Sequence, residues 1–127
     1  MGRMILALAL ALIVTVAACA ACRAEMDRAV DSALPHVQAA MDAALRLDTS
    51  SALTSLQRAR AGWQSREKSL MLFLPHSRLE AVLCQFEKCE CALLFGQIDA
   101  FLPEARILHR MLISLAQNER LTWENLL

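Results

Sequence analysis

The chain opens with a block of apolar residues that has no period, and everything after it follows a helical one. Met4 to Cys22 carries no charge and a single hydroxyl, Thr15. From Ala24 the apolar positions Met26, Val30, Ala33, Val37, Met41 and Ala44 recur at intervals of three and four, the spacing of one helix face. That pattern predicts a helix continuing from the apolar block to about Leu47, with Pro35 expected to kink it near Asp31 or divide it in two.

Asp48, Thr49, Ser50 and Ser51 offer N-caps for a second helix, whose inner face would be Leu53, Leu56, Ala59, Trp63, Leu70 and Leu74. Arg60 and Glu67 fall on the same stripe and make it imperfect. Gly62 lowers helix propensity by about 1 kcal/mol relative to Ala; it marks either a close helix approach or a weak point. Pro75 ends this helix. Ser77 and Glu80 then stand at capping-box spacing, Ser as N-cap and Glu three residues on.

The third helix would present Leu79, Val82, Leu83, Phe86, Leu93 and Leu94 and stop at Gly96 as its C′ residue. Asp99 would cap a fourth, with Pro103 in its first turn, a core face of Phe101, Ala105, Leu108, Leu112 and Leu115, and an end near Asn118. The last stretch, anchored by Trp123, would pack back on the others. No stretch alternates at period two for long enough to make a strand. The expectation is an all-α protein: a small antiparallel bundle of three to four helices at 24–127, following a hydrophobic membrane segment at 1–23.

The first block admits two readings. Arg3, an apolar core and small residues at its end form a secretory signal pattern. Val16-Ala17-Ala18-Cys19 resembles the bacterial lipobox, which would make Cys19 a lipidated N-terminus after cleavage. Uncleaved, the 19 residues from Met4 to Cys22 would extend about 28 Å as a helix, enough to cross the hydrocarbon layer. Both readings make the bilayer a partner through residues 4–22 and place the remainder outside the cytoplasm, at the cell membrane.

Charge adds exclusions. Lys plus Arg and Asp plus Glu are 13 each, with no basic stripe, so nothing points to nucleic acid. Five cysteines are not the even count of a disulfide scaffold. Cys84, Cys89 and Cys91, with His76 and His109, invite a metal-site reading, but at about 100° per residue Cys89 points well away from the other two. Cys84 and Cys91 are seven residues apart, about 10 Å along a helix, too far for a disulfide. Cys89 would border the core, and Cys84, Cys91 and Phe95 would form a flanking stripe against another helix or a partner. His76 is read as local to the helix junction and His109 as a core-edge histidine. Neither has a nearby nucleophile or carboxylate in a catalytic arrangement, and three glycines leave no phosphate-binding loop. No catalytic residue, cofactor or metal ligand is assigned, and an enzyme is not expected.

The junction Pro75-His76-Ser77-Arg78-Leu79-Glu80, with Trp63 before it and Glu124-Asn125-Leu126-Leu127 at the end, resembles the bacterial family catalogued as domain of unknown function 4363. The likeness covers nearly the whole chain in plan: a hydrophobic segment, helices, a His-Ser-x-Leu junction and a terminal Glu-Asn-Leu. The cysteine group and the Ala-rich, cysteine-ended first block depart from it. The resemblance implies a membrane-tethered helical domain and brings no activity. The functional expectation is a non-enzymatic interaction or accessory module of the bacterial cell envelope, serving another membrane protein. The alternative is a lipoprotein that binds a small ligand or metal. A tetratricopeptide-like pair over Leu79 to Leu115 ranks last, because such stacks need about three repeats.

Overall fold

The computed structural model describes the chain from Met1 to Leu126, with side chains as far as Gln117. Four helices account for nearly all of it: α1 (Gly2–Leu45), α2 (Thr49–Leu70), α3 (His76–Leu94) and α4 (Ile98–Leu126). The connections are a few residues long, so successive helices run antiparallel. α1 packs on α2 and α4, and α3 on α2 and α4, which closes a four-helix ring. The apolar block belongs to α1 but not to the bundle: every residue from Met1 to Ala18 is exposed.

Pro35 does not divide α1. The helix runs through it unbroken and ends at Leu45, two residues short of the expected end. Proline removes the bond to the carbonyl of Asp31. Both residues lie on the exposed face, so water can take up the freed carbonyl while the opposite face stays packed. That face holds all six predicted positions and adds Ala29, Ala40 and Ala43.

The helix ends follow local chemistry. Arg46 caps α1, the Leu47 amide donates to the Ala44 carbonyl (3.0 Å) and the Asp48 amide to Ala43 (2.9 Å). This is a Schellman turn. It places Leu47 at φ 61°, a left-handed conformation that a side chain adopts only at a cost. Asp48 is the N-cap of α2 and accepts from the Ser51 amide at 3.2 Å. Gly96 closes α3 as expected, at φ +68° and with the same paired bonds, Gly96 to Leu93 and Gln97 to Ala92.

Two expected caps are corrected. The N-cap of α3 is Pro75, with no side-chain cap bond, and the helix already begins at His76. Proline's fixed φ starts the helix, so Ser77 lies inside the first turn and the Ser77–Glu80 capping box is not formed. Likewise α4 begins at Ile98 with the Gln97 carbonyl accepting from Ala100 and Phe101, so Asp99 is a first-turn residue and not its cap. α4 also runs on to Leu126, past the expected end near Asn118. The packing expected of Trp123 lies outside the described side chains.

The core confirms the α4 face residue for residue: Phe101, Ala105, Leu108, Leu112 and Leu115 are all buried. Leu56, Ala59, Trp63, Leu70 and Leu74 are buried as read; Leu53 is half-buried. On α3, Leu79, Val82, Phe86 and Leu93 are buried, but Leu83 is only half so and Leu94 is 65% exposed. Gln85 and Ala92 fill the seam instead, together with Cys89, which was expected to border the core. The Gln85 amide reaches its partners without water, its Nε2 donating to the Glu104 carbonyl (2.8 Å) and to Glu104 Oε2 (2.6 Å). Gly62 marks a close approach: a Cβ there would lie 2.8 Å from the Ser32 carbonyl oxygen of α1.

Candidate functional site

Two surfaces stand out, one at each end of the bundle. The first is the N-terminal half of α1. It is long and apolar enough to cross a membrane, and none of its most apolar stretch is covered by protein. Ile5, Leu6, Leu8, Leu10, Leu12 and Ile13 are each more than 60% exposed. Such a row is stable in lipid or as a signal segment, and costly in water. Its single hydroxyl is self-satisfied, Thr15 Oγ1 donating to the Ala11 carbonyl at 2.8 Å.

Cys19 sits at the edge of this segment. Cys19, Cys22 and Arg23 are half-covered, while Ala20, Ala21 and Ala24 are exposed. The covered face that begins at Cys19 runs into Met26, the first fully buried residue of α1. Removal of residues 1–18 would therefore take away no core residue.

The second surface lies where α1 meets α2 and α3 meets α4. Leu45 (68% exposed), Leu47 (76%), Leu94 (65%) and Phe95 (74%) all belong to these two adjacent turns. Leu47 lies beside the Gly96–Ala100 turn, and Phe95 borders a groove with Cys91 and Lys88 of α3. Single exposed leucines need no explanation, but four large apolar side chains on one end of a small bundle form a patch of the kind used for association. The Cys84, Cys91 and Phe95 stripe read from the sequence is exposed, and its Cys91 and Phe95 border a groove whose other side is Ala100, Pro103 and Glu104 of α4.

The thiols and imidazoles do not converge. Cys89 is buried and Cys84 and Cys91 are exposed, and all five cysteines are unpaired. Burial pushes the Cys89 thiol up to about 12, with the nearby Glu104 charge adding to the effect. A thiol so held stays protonated at neutral pH and is a poor nucleophile. His76 lies in the first turn of α3, its Nε2 3.1 Å from Glu80 Oε1 on an exposed surface. The junction trio thus acts locally, through His76 and Glu80, with Ser77 exposed beside them. His109 is half-buried at the α1–α4 seam among Met41, Leu45 and Leu102. Among the described residues no group of three His, Cys, Asp or Glu side chains is placed to hold a metal ion.

Of the two charges that break the α2 face, Arg60 is paired, and half-buried Glu67 is in no ion pair among the described residues. Arg60 reaches across to α3, with Nη1 2.5 Å from Glu90 Oε2 and Nη2 3.7 Å from Glu87 Oε1. This accounts for Arg60 on the α2 stripe: it sits at the seam and meets two acids there. Arg66 Nη1 meets Glu25 of α1 at 3.4 Å. These pairs are partly exposed and fix register more than they add stability.

A long groove of about 610 Å³ separates the start of α3 from α4, lined mainly by Val82, Ile107, Met111 and Ile113 with Arg78 and Arg110 at its sides. The sequence reading missed it, because a groove depends on how far two helices splay apart, which the period of each helix does not encode. Compared with models of protein families, with curated proteins and with solved structures, the chain shows no significant match.

Proposed function

We propose that this chain is a membrane-tethered, extracytoplasmic helical module of the cell envelope that works by binding another protein, without catalysis. The observation that carries it is the pairing of two exposed apolar surfaces at opposite ends of one small bundle. One is the α1 segment suited to a bilayer, and the other is the Leu45, Leu47, Leu94 and Phe95 patch held away from it. A tether that holds an apolar patch off the membrane suits an accessory subunit. The resemblance to the family catalogued as domain of unknown function 4363 agrees with this plan.

The test is photo-crosslinking in intact membranes from position 95, with position 58 on the exposed side of α2 as control. A discrete adduct from position 95 only supports the proposal. Equal capture at both positions, or none at either, overturns it.

Cys19 is the proposed lipidation site within this reading. Several acyl chains, each methylene adding about 0.8 kcal/mol of membrane binding, would replace the span as anchor. Intact mass of the membrane-extracted protein decides between the two anchors: a lipid-bearing chain starting at Cys19, or an unprocessed one.

The groove between α3 and α4 favours a second reading, a lipoprotein that binds a small amphipathic ligand, with Arg78 and Arg110 set beside an apolar floor. A thermal-shift screen of anionic amphiphiles against the full chain tests it. No shift with any of them would remove it.

A further inference from the structure

The turn between α2 and α3 is the least loop-like connection in the molecule. Connections are usually polar because they face water. This one reads Met71-Leu72-Phe73-Leu74-Pro75, with no polar side chain. Leu74 is buried and Phe73 half-buried, so they hold the turn to the bundle. Met71 (54% exposed) and Leu72 (88%) point outward.

Its position follows from the helix register. Ser32 of α1 stands opposite Gly62 of α2, and Glu25 opposite Arg66. One further turn along α2, about 6 Å, brings Leu70 to the level of Cys22. There the covered face of α1 ends at Cys19 and the fully exposed apolar segment begins. The turn therefore sits at the rim where α1 leaves the bundle, opposite to the Phe95 end.

The backbone of the turn is also suited to a poorly hydrated setting. Four successive amides are satisfied internally: Met71 by Glu67 (2.9 Å), Leu72 by Ser69 (3.3 Å), and Phe73 and Leu74 by Leu70 (3.2 and 2.8 Å). With the amides satisfied, only the carbonyls of the turn need hydration, which the interfacial layer supplies. Lys68 and Arg78 flank it, both exposed, with stems long enough to keep their charges in the headgroup layer.

We infer that the α2–α3 turn is a second membrane contact, with Met71 and Leu72 seated in the interfacial layer of the same bilayer that holds the start of α1. This rests on the membrane reading of that segment and adds an orientation to it. One anchor leaves a bundle free to tilt; a second contact at the rim holds it upright and keeps the Phe95 end directed outward.

The test uses the full chain in phosphatidylcholine vesicles, with Cys19, Cys22, Cys84 and Cys91 replaced by Ala and buried Cys89 kept. One environment-sensitive fluorophore is attached at Ile13→Cys, Leu72→Cys or Leu94→Cys, and quenching by nitroxide-bearing lipids is read at each. Expected is strong quenching at Ile13, at least half as much at Leu72, and none at Leu94. Quenching at Ile13 without quenching at Leu72 overturns the second contact and leaves the membrane segment standing. Quenching at neither overturns both. Quenching at Leu94 as well as Leu72 means that the bundle lies flat, and it overturns the upright orientation. Helical circular dichroism unchanged in each variant confirms that the fold is kept; Leu72 is exposed enough that its replacement leaves the core intact.

Discussion

The two halves of α1 share one unbroken backbone and differ in everything their side chains meet. From Gly2 to Ala18 every residue is exposed, although this half carries most of the Leu and Ile residues of the helix. From Met26 to Ala44 nine residues are buried, and five of them are alanines. Hydrophobicity alone would have put the first half in the core and the second outside. Size and period decide otherwise. The bundle half uses small side chains to bring α1 close to α2 and α4, and Gly62 against Ser32 shows how close. The first half has no period, as suits a helix that lipid, unlike a protein neighbour, would surround on all sides.

Matched substitutions in the two halves test that contrast most severely. Val37 is fully buried and Val14 is 60% exposed. Val37→Asp places an unpaired carboxylate in the core and is expected to cost about 4 kcal/mol or more, enough to abolish a cooperative melt. Val14→Asp should leave the melt of the bundle unchanged. Its cost, about 2.5–3.5 kcal/mol, falls on membrane insertion and is read as loss from the membrane fraction. If Val14→Asp unfolded the bundle, the division of α1 into two solvents would be wrong.

A gentler pair asks whether alanine is there for space. Ala33→Leu overfills a fully buried site and should destabilise by about 1–3 kcal/mol in urea titration. Ala9→Leu, in the exposed half, should have no measurable effect on the same titration. Next comes Gly62→Ala. In an open helix it would gain about 1 kcal/mol. Here the new Cβ meets a backbone carbonyl, which has little freedom to move, so we expect a net loss of about 1 kcal/mol. A gain would mean that α1 and α2 separate readily at Ser32.

The same contrast explains what could be read from the chain. The α4 face was legible in full because large apolar residues recur there at a clean helical period. The α1 face was legible where Met and Val mark it, and missed at Ala29, Ala40 and Ala43, since alanine signals burial weakly in sequence. Leu94 looked like core by hydrophobicity, and Gln85, being polar, was not counted in the α3 face. The true seam of α3 passes through Gln85 and Cys89, because Glu104 supplies the amide's acceptors from another helix. The Ser77 capping box failed for a local reason: Pro75 starts α3 before Ser77 can cap it. The long apolar segment needed no fold to be seen. The Leu45, Leu47, Leu94 and Phe95 patch did, because it joins two turns separated by nearly fifty residues.

The smallest effect is expected where the bundle half of α1 ends. Leu47 holds a left-handed φ of 61°, and its side chain is 76% exposed, so it gains little packing in return. Gly96, in the equivalent turn after α3, has the same handedness without the penalty. If Leu47 served only to end the helix, glycine would serve better, and Leu47→Gly should stabilise the bundle by about 0.5–1 kcal/mol. Thermal denaturation reads that gain. The proposed function adds a second half to the test, because Leu47 belongs to the exposed patch. The same substitution should weaken the crosslink formed from position 95. A chain that becomes more stable and less able to bind would show that the strain at Leu47 is kept for the surface it presents. A more stable chain with the crosslink unchanged would remove Leu47 from that surface.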